Sequence, residues 1–98
     1  MTVVKDPEGF EKKILHQFAN FSGAKVLEVG CGEGRLTFKY AASAGQVIAF
    51  DTDHDALRIA RADLPHALQG RVHFAEASAR HIPFPAESFD VAVLAWSL

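Results

Sequence analysis

The chain has 98 residues, enough for one domain with a small core. Hydrophobic residues make up 49% of it and charged residues 22%, a globular composition that excludes a disordered chain. The formal charge of −2 shows no basic excess, so nucleic acid is not the expected partner.

Cys31 is the single cysteine, which excludes an internal disulfide and points to a reducing compartment. The first eight residues are polar and have no apolar signal core behind them. The longest apolar stretches are strand-sized, far below the roughly 20 residues a membrane span requires. A cytoplasmic protein without a membrane partner is expected.

The elements alternate along the chain. Residues 7–21 read as an amphipathic helix, with Asp6 as N-cap, Pro7 at the first helical position, and Phe10, Ile14, Leu15 and Phe18 on one stripe. Ser22 and Gly23 end it. Residues 25–29 form a short apolar strand, followed by a glycine turn. Residues 35–44 read as a helix with Leu36, Tyr40 and Ala44 on one face, and Gly45 is its expected stop. Residues 46–50 are a second apolar strand that ends at Asp51. Asp53 is placed to cap a helix from 54 to about 64, carrying Leu57, Ile59, Ala60 and Leu64. A third strand follows at 71–75, a loop punctuated by Pro83 and Pro85 at 77–87, and a fourth strand at 89–96.

Strands separated by helices imply parallel βαβ units and an α/β sheet. The continuous apolar runs suit strands buried on both faces. Right-handed crossovers then bring the glycine turn and Asp51 to the carboxyl ends of neighbouring strands, where open α/β sheets bind ligands.

Gly30 and Gly32 follow the first strand, and Gly34 opens the next helix. Glycines allow positive φ and close approach of a ligand, and a helix N-terminus adds N–H donors. Such a turn could hold a pyrophosphate or the carboxylate of an amino acid. The dinucleotide fingerprint G-x-G-x-x-G would need glycine where Arg35 stands, so the spacing weighs against a dinucleotide. Glycine-rich turns also occur without ligands. Asp51 argues against that alternative, because a carboxylate there can accept both hydroxyls of a ribose. Asp53 is better read as the helix cap, and Asp55 as a first-turn acid favoured by the helix dipole.

The five histidines show no metal-ligand spacing, and no metal is expected. His81 alone lies near the binding edge, where it could line an acceptor site. Cys31 reads as a small residue packed in the turn rather than a nucleophile. Phe10, Phe18 and Phe21 read as helix packing.

Residues 26–37 (VLEVGCGEGRLT) resemble the first motif of class I S-adenosylmethionine-dependent methyltransferases, and residues 47–51 (VIAFD) resemble their second. Residues 82–93 (IPFPAESFDVAV) resemble the LPFPDxSFDVV stretch of the small-molecule branch, which includes quinone-biosynthesis-type enzymes. The resemblance implies a Rossmann-like parallel sheet of about four strands in the order 3-2-1-4. It treats 1–98 as one cofactor-binding domain, with an N-terminal helix in 1–22 and the Rossmann-like half in 25–98.

The same resemblance implies S-adenosylmethionine as cofactor and methyl transfer to a small-molecule acceptor. Glu28 and the backbone of Gly30, Cys31, Gly32 and Gly34 would surround the methionine part. Asp51 would take the ribose hydroxyls, and Thr52 and Ala79 would lie beside the adenine. Ser78 stands where the family often has an acid that contacts the adenine amino group. Ala95 would face the methyl donor. No catalytic residue is assigned.

Members of the family continue beyond the fourth strand, so this chain is short relative to them. The fourth strand is expected to be an exposed apolar edge that could pair with a second copy. A module that binds S-adenosylmethionine or S-adenosylhomocysteine without turnover, or a truncated fragment, is the alternative to an enzyme. A dinucleotide-binding domain is a weaker third.

Overall fold

The structure is a computed structural model that describes residues 2–5, 20–81 and 88–95. Five parallel strands form one sheet: β1 (Thr2–Lys5), β2 (Lys25–Val29), β3 (Gln46–Asp51), β4 (Val72–Glu76) and β5 (Val91–Leu94). Their order is β1-β5-β2-β3-β4. Two α-helices, α1 (Thr37–Tyr40) and α2 (His54–Asp63), lie in the connections from β2 to β3 and from β3 to β4. The expected 3-2-1-4 order recurs as β4-β3-β2-β5, and the fold is the α/β Rossmann-like sheet anticipated.

The N-terminus departs from expectation. Residues 2–5, read as a polar terminus, form a fifth strand that pairs with β5 from Thr2↔Val91 to Lys5↔Leu94. The run Thr2-Val3-Val4 is β-branched, which suits a pleated strand. Val4 is buried while Val3 is 53% exposed, the alternation of a strand with one face on the core. The fourth predicted strand is therefore not a sheet edge. A second copy pairing along it would find that position taken by β1. The helix expected over 7–21 falls mainly outside the described residues, and Asn20 and Phe21 at its end are not helical. Residues 82–87 and 96–98 also lie outside them.

The helix predicted over 35–44 shrinks to the four residues of α1. The backbone on either side winds in tighter turns, with Lys39 N–H donating to the Leu36 carbonyl and Ser43 N–H to that of Tyr40. Gly45 is not a left-handed stop. A Cβ there would stand 2.7 Å from the Gly23 carbonyl oxygen, so glycine is needed for the close approach of two chain segments. The Asp53 cap is as expected: its side chain accepts from the N–H groups of Asp55 and Ala56. Of the apolar residues named on that helix, Ile59 is exposed. Leu57 and Ala60 carry the packing.

The buried residues separate by strand parity into two clusters. The larger joins Val26, Val47, Val72 and Val93 with Leu36, Tyr40, Leu57 and Ala60. Among the described residues, both α-helices therefore cover the same face. The smaller cluster is Leu27, Val29, Phe50 and Phe89 on the opposite face.

One charged side chain lies inside the larger layer. Glu28 is 0% exposed, and its Oε1 accepts from the Thr37 hydroxyl at 2.8 Å and from the Tyr40 hydroxyl at 2.6 Å. A buried carboxylate is costly unless hydrogen-bonded, so these bonds tie α1 to β2 directly beneath the glycine turn. Phe21 stacks on the Tyr40 ring at 4.6 Å and fixes it further. Burial first, then the charge of Glu28, push the Tyr40 phenol well above its ordinary value.

Removing either donor leaves the buried carboxylate short of a partner. Thr37→Val and Tyr40→Phe are each expected to cost about 1–3 kcal/mol in denaturant unfolding. Their combined effect should be non-additive, because both act on one oxygen. The pH dependence has a definite sign. Below about pH 10 the phenol is protonated in both folded and unfolded chains, and its contribution is complete. Above that the unfolded chain ionises first, so stability falls as pH rises towards the raised folded value. Tyr40→Phe should flatten that alkaline fall; equal slopes in the two proteins would contradict the assignment.

Candidate functional site

Because the strands are parallel, the ends of β2, β3 and β4 open on one edge. Val29 pairs with Phe50 at the tips, so the glycine turn and Asp51 leave the sheet side by side. The turn folds back onto β3. Gly30 and Cys31 both donate their N–H to the Phe50 carbonyl, at 2.8 and 3.1 Å. Gly32 donates to Oδ2 of Asp51 at 2.8 Å, and Gly34 to the Cys31 carbonyl at 3.0 Å.

These bonds correct one expectation. The turn was read as a set of N–H donors backed by a helix dipole and able to hold an anion. Four of its amides are instead engaged within the protein, and α1 is a single turn. What Gly32 offers a ligand is bare backbone surface. Gly32 has φ +56°, and nothing lies within 4 Å of the place a Cβ would occupy. Gly34 has φ +90° and packs under Phe38, whose ring would stand 2.7 Å from an added Cβ. Gly34 is thus a structural glycine, whereas Gly32 borders open space.

Two open hollows flank the turn. The first, about 480 Å³, has Asp51, Thr52, Ser78 and Arg80 as its polar lining and Val29, Phe50, Ala77 and Ala79 as its apolar lining. The second, about 450 Å³, is bordered by Cys31, Gly32, Glu33, Arg35 and Leu36 on the side of the turn and by Asp53, Ala56 and Ala95. Gly30 borders both.

Asp51 lines the first and holds the turn that borders the second. Its Oδ2 is held by Gly32 and its Oδ1 by the Asp53 N–H at 2.9 Å. A carboxylate offers about four acceptor positions, so two remain for a ligand. The loop after β4 is anchored to the same residue, since Ala77 donates to the Asp51 carbonyl at 3.0 Å. Ser78 begins a tight turn in which its Oγ accepts from the Arg80 N–H at 3.2 Å and its carbonyl from the His81 N–H at 2.9 Å.

Of the residues singled out in sequence, Gly30, Asp51, Thr52, Ser78 and Ala79 meet in the first hollow. Gly30, Cys31, Gly32 and Ala95 meet at the second. Glu28 and Gly34 lie beneath the turn and border neither. His81 is exposed and borders neither hollow. Cys31 is buried, and burial, with Glu28 and Asp51 adding to it, pushes its thiol far up, away from nucleophilic chemistry. Among the described residues, no group of three or more His, Cys, Asp or Glu side chains could hold a metal ion.

The sequence reading missed the walls. Val29 and Phe50 read simply as strand residues, and Ala77 as the first residue of a loop. Their signal was position, since each is next to a turn or to Asp51 at the binding edge. Arg80 was also missed, because a loop arginine carries no periodicity.

A family model described as a methyltransferase domain matches residues 26–98. The demethylmenaquinone methyltransferase of Lactococcus lactis subsp. lactis is 29% identical over 97 residues, which cover 96% of this chain and 38% of that protein. The ubiquinone/menaquinone biosynthesis C-methyltransferase UbiE of Vibrio campbellii is 35% identical over 80 residues, 78% of this chain and 31% of that protein. The chain thus spans about a third of the length of these relatives. The solved structure of the YcgJ protein from Bacillus subtilis shares the fold, with a TM-score of 0.75 at 21% identity over 85% of this chain and 36% of that one. With three quarters of its length under the family model, the chain belongs to the methyltransferase domain family, in its class I S-adenosylmethionine-dependent branch.

Proposed function

We propose that this chain supplies the cofactor site for S-adenosylmethionine-dependent methyl transfer to a small-molecule acceptor. The observation that carries the reading is the Asp51 carboxylate, which lines the first hollow and accepts at 2.8 Å from the amide of Gly32, a residue of the second. An adenosyl group with an amino-acid tail needs two compartments joined by a ribose, and the site has that form. The residues fit the cofactor. Asp51 keeps acceptor capacity for the ribose hydroxyls. The open space beside Gly32 admits a ligand against the backbone.

In this reading Thr52, Ser78 and Ala79 surround the adenine, with Val29 and Phe50 gripping its faces. Cys31, Gly32 and Ala95 border the methionine part. Glu28 acts from beneath, through Thr37 and Tyr40, to hold the turn in shape, and Gly34 serves the same purpose by its packing. When bound, S-adenosylmethionine supplies a methyl group on an electrophilic sulfonium. The chain's own contribution is positional: it fixes the ligand at the sheet edge, and alignment alone can remove much of a displacement barrier.

The acceptor is read as a small molecule, and the names of the relatives make a quinone ring the first candidate. The formal charge of −2 supports a partner other than nucleic acid. Among the described residues no helix is long and apolar enough to cross a membrane. A reducing cytoplasm suits the single buried thiol.

Titration calorimetry with S-adenosylmethionine, S-adenosylhomocysteine and NAD tests the reading. The first two should bind and NAD should not. Asp51→Ala should weaken S-adenosylhomocysteine binding by about 1–3 kcal/mol, the loss of charged hydrogen bonds. Thermal unfolding without ligand, run in parallel, shows whether the variant is folded. Binding of NAD alone, or an unchanged affinity in the variant, would contradict the assignment.

A further inference from the structure

We propose that the first hollow accepts a 6-oxopurine nucleoside nearly as readily as a 6-aminopurine one, and that Ser78 sets this breadth. The inference rests on the cofactor reading above and goes beyond it to how the base is selected.

Amino and oxo purines present opposite patterns on one edge. Adenine donates at position 6 and accepts at N1. Hypoxanthine accepts at position 6 and donates from N1. A carboxylate only accepts, so a carboxylate facing that edge would select adenine. A guanidinium only donates and cannot select an amino group.

The polar side chains bordering the first hollow are Asp51, Thr52, Ser78 and Arg80. Among the described residues Asp51 is its single carboxylate, and it sits at the strand tip, fastened to Gly32 and Asp53. Among the described residues of the loop after β4, the polar side chains of the hollow are Ser78 and Arg80. The Ser78 carbonyl is already taken by the His81 N–H. Its hydroxyl accepts from the Arg80 N–H at 3.2 Å, which leaves one lone pair and the hydroxyl proton. That hydroxyl can therefore accept from an amino group or donate to a carbonyl, and it changes between the two by rotating one O–H bond. No backbone movement is needed. The remaining side chains of the lining, on Val29, Phe50, Ala77 and Ala79, are apolar and have no group with which to distinguish the two rings.

Calorimetry on the full chain with S-adenosylhomocysteine and S-inosylhomocysteine is the test. The two dissociation constants should lie within about fivefold of each other, less than one neutral hydrogen bond left unmade. Ser78→Asp keeps an acceptor for the Arg80 N–H, so the loop turn survives, and it should shift the ratio towards the adenosyl ligand by about tenfold or more. Wild-type binding of the inosyl ligand weaker by more than about tenfold would overturn the inference while the cofactor reading stands. An unchanged ratio in Ser78→Asp would remove Ser78 as the selecting residue. Failure of both ligands to bind would overturn the cofactor reading and this inference with it.

Discussion

The hydrogen bond from the Gly32 amide to the Asp51 carboxylate joins the two strand tips on which the site is built. Its neighbours reinforce it. The Phe50 carbonyl takes two amides of the turn, the Asp51 carbonyl takes Ala77, and the second Asp51 oxygen takes Asp53 at the start of α2. Residues 50 and 51 thus hold the glycine turn, the helix cap and the loop after β4 at once. A loop otherwise open to water is fixed because its polar backbone groups find partners on one strand end. A positioned carboxylate with spare acceptor sites is a result of that arrangement.

Glu28 supplies the support from below. Burying a carboxylate in an apolar layer is unfavourable in itself, and the hydroxyls of Thr37 and Tyr40 offset the cost. The consequence is directional. An apolar contact between β2 and α1 would tolerate sliding, whereas two short hydrogen bonds to one oxygen specify where the short helix starts. The turn above it is then set at both ends: at Gly30 by β3, and at Thr37 by Glu28. This explains why so small a helix can stand at a binding edge without its own length to stabilise it.

Much of the fold could be read from sequence because parallel strands buried on both faces leave continuous apolar runs. Val47-Ile48-Ala49-Phe50 and Val91-Ala92-Val93-Leu94 are such runs, and both are strands. The Asp53 cap was legible because capping is a local matter of side-chain reach. Residues 2–5 were not, because Thr2-Val3-Val4 is too short to show a period, and its strand exists only through a partner, β5, about 90 residues away in sequence. The length of α1 was overread, since a face of Leu36, Tyr40 and Ala44 fits helical spacing whether or not the backbone completes its bonds. At the site, Gly30, Gly32 and Asp51 announced themselves by type and spacing. Phe50 and Arg80 did not, because walls and rims are chosen by the three-dimensional edge rather than by any pattern along the chain.

The central claim is that one adenosyl ligand lies across the turn, the Asp51 tip and the loop after β4. Amide NMR spectra of the isotopically labelled chain, recorded during titration with S-adenosylhomocysteine, test it most directly. The account predicts the largest shifts at Gly30, Gly32, Thr52, Ser78 and Ala79, saturating together with one dissociation constant. Shifts confined to the opposite end of the sheet, around Lys25, Gln46 and Asp90, or none at saturating ligand, would contradict it.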